Sequence, residues 1–140
     1  VWKGRHCWWL IPRLYEEETL HDLFSKNKIK TYNLLSEKSF LDRIAISYYS
    51  GRGEKIKSSQ KVKTEKDIQV SSFGDQIVKF EIPKVISEKI EKIYQSTKKG
   101  KNIDLKKVLD VFKEKSEIEL TIIKDKYLSD KTKEEIINQF

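Results

Sequence analysis

Cysteine is almost missing from this 140-residue chain: Cys7 stands alone, so no internal disulfide framework can hold it together. A lone thiol fits a reducing compartment, or an exported protein that does without bridges, and a cytoplasmic location is expected. With two prolines and five glycines, there is too little of either for a collagenous or low-complexity tract. No apolar run approaches the roughly 20 residues that a transmembrane helix needs. The longest, Cys7 to Ile11, is followed at once by Pro12 and Arg13, so no transmembrane segment is expected. Residue 1 is Val rather than Met, which suits a processed chain or an excised fragment, and targeting is not judged from it. Arginine is also scarce, with 25 of the 29 basic residues being lysine. Arginine is the side chain that forks onto phosphate and guanine, so its scarcity counts against recognition of a nucleic acid.

What remains is a polar but foldable composition. Hydrophobic residues make up 37% and charged residues 36%. Leu, Ile, Val and aromatics recur throughout, which excludes a disordered chain and fits one domain spanning residues 1–140. The net charge of +7 is distributed in blocks, with segments 51–66 and 95–115 each carrying a net +4. Such clustering is the electrostatic footprint expected for an anionic partner.

The stretch from Asp67 to Pro83 organises the reading. Ile68 and Val70 alternate with polar neighbours, as do Val78, Phe80 and Ile82, and Gly74-Asp75 lies between the two runs. That pattern predicts a hairpin over 67–82, with Gly74 supplying a positive φ and Pro83 opening a helix. Further strands are expected near 6–11 and 117–123, the latter beside the hairpin. Residues 29–35 stay open between strand and helical turn. Helical spacing predicts helices over 13–26, from Ser36 or Ser39 to Gly51, over 84–99, from Asp104, and from Ser129 or Asp130 to the end. Arg52 to Lys66 reads as a mobile basic loop. The expected class is α+β: a small, mostly antiparallel sheet with four to five helices packed on one face.

Four groups of residues carry candidate chemistry. Tyr48 and Tyr49 beside Gly51-Arg52-Gly53 could stack a base and let amides approach phosphate. The bland reading is a helix end and a solvated loop. The near-alternating Arg52, Lys55, Lys57, Lys61, Lys63 and Lys66 could meet successive phosphates, or could simply keep a loop soluble. Lys98, Lys99 and Lys101 add a second basic turn. His6, Cys7 and His21, with Glu17 or Glu18, have ligand chemistry for zinc, but there is no Cys-x-x-Cys and no His-Glu-x-x-His. A buried Cys7, and a His21 paired with Glu17 one helical turn away, explain them better. Finally Trp2, Trp8 and Trp9 crowd the N-terminus, as a partner anchor if exposed or as core if buried.

Three functional classes follow. The leading one is a non-catalytic nucleic-acid-binding module (RNA or DNA), with Tyr49, Arg52, Lys55, Lys57, Lys61, Lys63, Lys98, Lys99 and Lys101 as contacts. The second is a protein-protein adaptor or inhibitor using Trp2, Trp8 and Trp9. The third is a toxin-like nuclease or nucleotide-modifying enzyme with His6 and His21 as catalytic candidates. No metal and no cofactor are called for. Convergence of Trp8, Trp9 and His6 with 51–66 at one cleft would favour chemistry, and separation would favour simple binding.

Overall fold

The computed structural model describes residues 1–97 and 103–140. Within them lie six strands and five α-helices: β1 (Trp2–Gly4), α1 (Leu14–Lys26), β2 (Tyr32–Leu35), α2 (Phe40–Gly51), β3 (Lys55–Ser58), β4 (Ile68–Phe73), β5 (Gln76–Glu81), α3 (Lys84–Ser96), α4 (Leu105–Lys113), β6 (Glu119–Lys124) and α5 (Lys126–Ile137). The strands form one sheet in the order β3-β2-β1-β4-β5-β6. The fold is α+β, but the sheet is mixed rather than mostly antiparallel. β1 pairs parallel with β2 and β2 parallel with β3, whereas β4, β5 and β6 join by antiparallel ladders. Parallel neighbours require a crossover, and α1 and α2 supply the two.

The hairpin forms as its sequence pattern predicts, with Gly74 at φ +58° in its turn. β6 pairs along the whole of β5 as the third strand of this half. Ser39 caps α2 in a reciprocal box with Asp42, and Asp104 caps α4. Three further expectations, each about a single segment, are corrected. Residues 6–11 are not a strand: β1 lies earlier, at Trp2–Gly4, and Trp8–Leu10 turns as a 3-10 helix. The 51–66 segment is not loop throughout, because Lys55–Ser58 adds β3 to the sheet edge. The last helix is capped by Asp125, whose carboxylate accepts from the Leu128 amide, instead of by Ser129 or Asp130.

Helices cover both faces, not one. Leu34 and Leu35 are adjacent on β2, both buried, and therefore point to opposite sides. Leu35 joins Trp2, Cys7, Leu10, Ala45, Tyr49 and Ile56 under α2, while Leu34 joins Val62 and Ile136 under α5. A pair of buried serines docks α5, with the Ser72 and Ser129 hydroxyls 2.7 Å apart. α3 and α4 form a third cluster through Ile90, Tyr94, Val111 and Phe112, which also packs Leu41 and Trp8. α1 differs from all of these: none of its residues is buried, and Leu14, Leu20 and Leu23 remain largely exposed. The opposite end of the same sheet face is also open, since Phe73, Phe80, Leu120 and Ile122 are exposed.

Candidate binding cleft

The open α1 and the open end of the sheet border one space. A cleft of about 690 Å3 runs under α1 across the face that carries Trp2, Asn33, Ile56, Gln69, Ser71, Phe73, Val78 and Phe80. Trp8, Trp9, Leu20, Phe24, Ile29, Ile82 and Ile118 complete its apolar walls. The floor depends on Gly4. A Cβ there would meet the Trp2 indole at 2.4 Å, so only the missing side chain lets that ring lie flat along β1. Trp9 then stacks edge-on against Trp2 at 4.4 Å and Trp8 against Trp9 at 5.9 Å. Such T-shaped pairs add packing energy beyond their buried area.

Polar groups gather beside β2 and β3. The Tyr49 hydroxyl donates to Glu17 Oε2 at 2.6 Å. His21 Nδ1 contacts Glu54 Oε1 at 3.1 Å, and Glu54 Oε2 accepts from Thr31 Oγ1 at 2.6 Å and from Asn33 Nδ2 at 3.0 Å. All of these residues line the cleft, as do Cys7, Arg13 and Lys30. Burial raises the Glu17 carboxyl above the usual range, against the opposing pull of the Tyr49 hydroxyl and Arg13. Burial likewise raises the Cys7 thiol, helped by the charge on Glu17, so the thiol stays protonated and unreactive. Tyr49 is pushed up by burial, by Cys7 and by its bond to Glu17.

His6 lies elsewhere, at the ends of β1 and β2 from which α1 and α2 depart. Its Nδ1 is 2.9 Å from Asp42 Oδ2 and its Nε2 is 3.2 Å from Glu91 Oε2. Arg5 forks onto Glu91 at 2.7 and 3.2 Å and reaches Glu37 at 3.2 Å. Burial alone would raise the Glu91 carboxyl, but hydrogen bonds from Arg5 and Gln95 and the charges of Arg5 and His6 outweigh it and hold it at about 2. The imidazole also stacks on Tyr94 at 4.1 Å. With both nitrogens held by carboxylates, the ring has no free edge for a reacting atom. Arg5, His6, Asp42 and Glu91 thus form one polar network that ties the β1 loop to α2 and α3.

The remaining candidates separate. Tyr49 is buried, and Arg52 is paired with Glu18 while lying over the Tyr48 ring at 4.7 Å. Lys55 and Lys57 lie on the β3 edge, over the rings of Tyr32 and Phe140. Lys61 and Lys63 are exposed after it. Lys98, Lys99 and Lys101 fall outside the described residues. Trp2 is buried and Trp8 and Trp9 are half-buried, so all three are core and cleft wall. His21 does not pair with Glu17, because Glu17 is turned to Tyr49 and the His21 partner is Glu54. Glu54 is the residue that sequence reasoning missed: it is 33 positions from His21, and its only local cue is its place between Gly53 and the short Lys-Ile-Lys alternation.

No protein-family model matches the chain, and neither a curated protein nor a solved structure matches it significantly. The reading of the cleft therefore rests on its own geometry. Among the described residues no helix is long and apolar enough to cross a membrane.

Proposed function

We propose that this domain is a binding module that holds a small, elongated, largely apolar molecule in the cleft beneath α1. One observation carries the reading: apolar walls and hydrogen-bonding groups converge on a single space, the arrangement expected of a ligand site. Trp8, Trp9 and His21 meet Glu54 and Ile56 there, whereas His6 stands apart and is fully engaged. That division supports binding over catalysis. With β2 and β5 three strand spacings apart, the span from the polar cluster to Phe80 is about 14 Å. Titration with the neutral fluorescent probe N-phenylnaphthylamine tests the reading. Saturable enhancement at one site, lost in Leu20→Glu and in Phe80→Glu variants of unchanged circular dichroism, is expected. Absence of saturation, or binding indifferent to both changes, refutes it.

A second reading keeps the nucleic-acid partner, now on a different surface. Lys55, Lys57, Lys61, Lys63 and Lys66 enter no ion pair among the described residues. Lys38, Arg43 and Lys57 also line a shallow groove of about 340 Å3 with Ser47, Ser50 and Ser58. Cations without a carboxylate partner on an edge strand and in the segment after it suit a phosphate backbone, and neutralising each phosphate would steepen the salt dependence. Anisotropy with mixed oligonucleotides at two salt concentrations decides: no binding at low salt removes this reading and leaves the cleft untouched.

A further inference from the structure

Resting on the cleft reading, we propose that the ligand carries a cationic head, an ammonium group, which docks against Glu17 while its apolar body lies along the tryptophans and Phe80. The two carboxylates of the cleft differ in occupancy. Glu54 accepts from three partners, His21, Thr31 and Asn33. Glu17 accepts only from Tyr49, at Oε2, and its Oε1 has no hydrogen-bond partner among the described residues. Glu17 is half-buried and its Oε1 is not sealed from solvent, so a cation entering the cleft can donate to it in a charge-assisted hydrogen bond.

The protein's own cations do not fill this role. Arg13 and Lys30 line the cleft as exposed residues, and neither forms an ion pair with Glu17. The burial that lifts the Glu17 carboxyl fits a group awaiting a counter-charge. Trp2, Trp8 and Trp9 border the same space and give the apolar body a wall to lie against.

Intrinsic tryptophan fluorescence, titrated below micelle formation with dodecylammonium, dodecanol and dodecanoate, separates the possibilities. Dodecylammonium is expected to bind about tenfold tighter than dodecanol and more so than dodecanoate, the scale of one charge-assisted hydrogen bond. In Glu17→Gln that advantage falls about tenfold while dodecanol is unaffected. Asp22→Asn, the same charge change on an exposed part of α1, leaves all three unchanged. If dodecanoate or dodecanol matches dodecylammonium in the unaltered protein, the cationic head is wrong and the cleft stands. If none of the three saturates, the cleft reading falls with it. The comparison in the unaltered protein holds even if a variant fails to fold.

Discussion

Removing the Asp42 carboxylate should cost the domain a large share of its stability. Asp42 is fully buried and holds three donors: His6 Nδ1 at 2.9 Å, the Ser39 amide at 2.8 Å and the Cys7 amide at 3.3 Å. Asp42→Ala strands all three. Ser39 Oγ still caps the residue-42 amide, so the loss lies in the three orphaned buried donors, each of which costs about 1–3 kcal/mol. These terms overlap, since one carboxylate serves all three, so a net loss of about 4–5 kcal/mol is expected. Against a total of about 5–15 kcal/mol for a domain, that is a large share. At about 2–4 °C per kcal/mol for a chain of this size, the midpoint should fall by roughly 8–20 °C. Asp42→Asn keeps one acceptor oxygen but turns an amide donor towards another donor, and should lose about half as much. Urea unfolding followed by circular dichroism measures both. A loss below about 1 kcal/mol for Asp42→Ala would refute the view that this network ties the β1 loop to α2 and α3.

Three further outcomes follow from individual contacts. Gly4→Ala drives a methyl into the Trp2 indole, so it should cost about 1–3 kcal/mol and shift the tryptophan near-ultraviolet signal; an unchanged spectrum would contradict the flat seat of Trp2. Glu91 and Glu17 should act with opposite signs in pH-dependent stability. The Glu91 carboxyl is held at about 2, so its contribution is present above the unfolded carboxyl value of about 4.3 and is lost as pH falls towards 2. The Glu17 carboxyl is raised, so its contribution is present below that unfolded value and is lost as pH rises through the folded one. Thermal melts from pH 2 to 7 should therefore show a shallower acid loss in Glu91→Gln, and in Glu17→Gln a gain at neutral pH of under about 1 kcal/mol. Tyr94→Phe removes a buried hydroxyl that has no partner among the described residues, and stability should hold or rise by up to about 1 kcal/mol. A marked loss would point to a bond that the geometry does not show.

The antiparallel half of the fold was legible because its signals are local. Six-residue strands alternate visibly, and Gly74 marks the turn between them. The Ser39 and Asp104 caps sit beside apolar stripes that repeat at helical spacing. The parallel half was hidden for physical reasons. β1, β2 and β3 are three or four residues long, and Leu34 and Leu35 are both buried on opposite faces, so no alternation survives in β2. Covering both faces erased the pattern that would have shown which face is which. For the cleft, residue types were informative where partners were not. The tryptophans read as core or as anchor, and the fold makes Trp2 core and Trp8 and Trp9 half-buried cleft wall. The Glu17 to His21 spacing permits a pair one turn apart, but it does not register that Tyr49 and Glu54, brought in by the β2-α2-β3 crossover, compete for the two side chains and win.

The central claim is tested most directly by nuclear magnetic resonance, following the indole N–H signals of Trp2, Trp8 and Trp9 and the side-chain amide of Asn33 while dodecylammonium is added. Saturating, concerted shifts of these four signals are predicted, with the amides of Lys61 and Lys63 undisturbed. Shifts confined to the β3 edge and to Lys38 and Arg43, with silent indoles, would contradict the account.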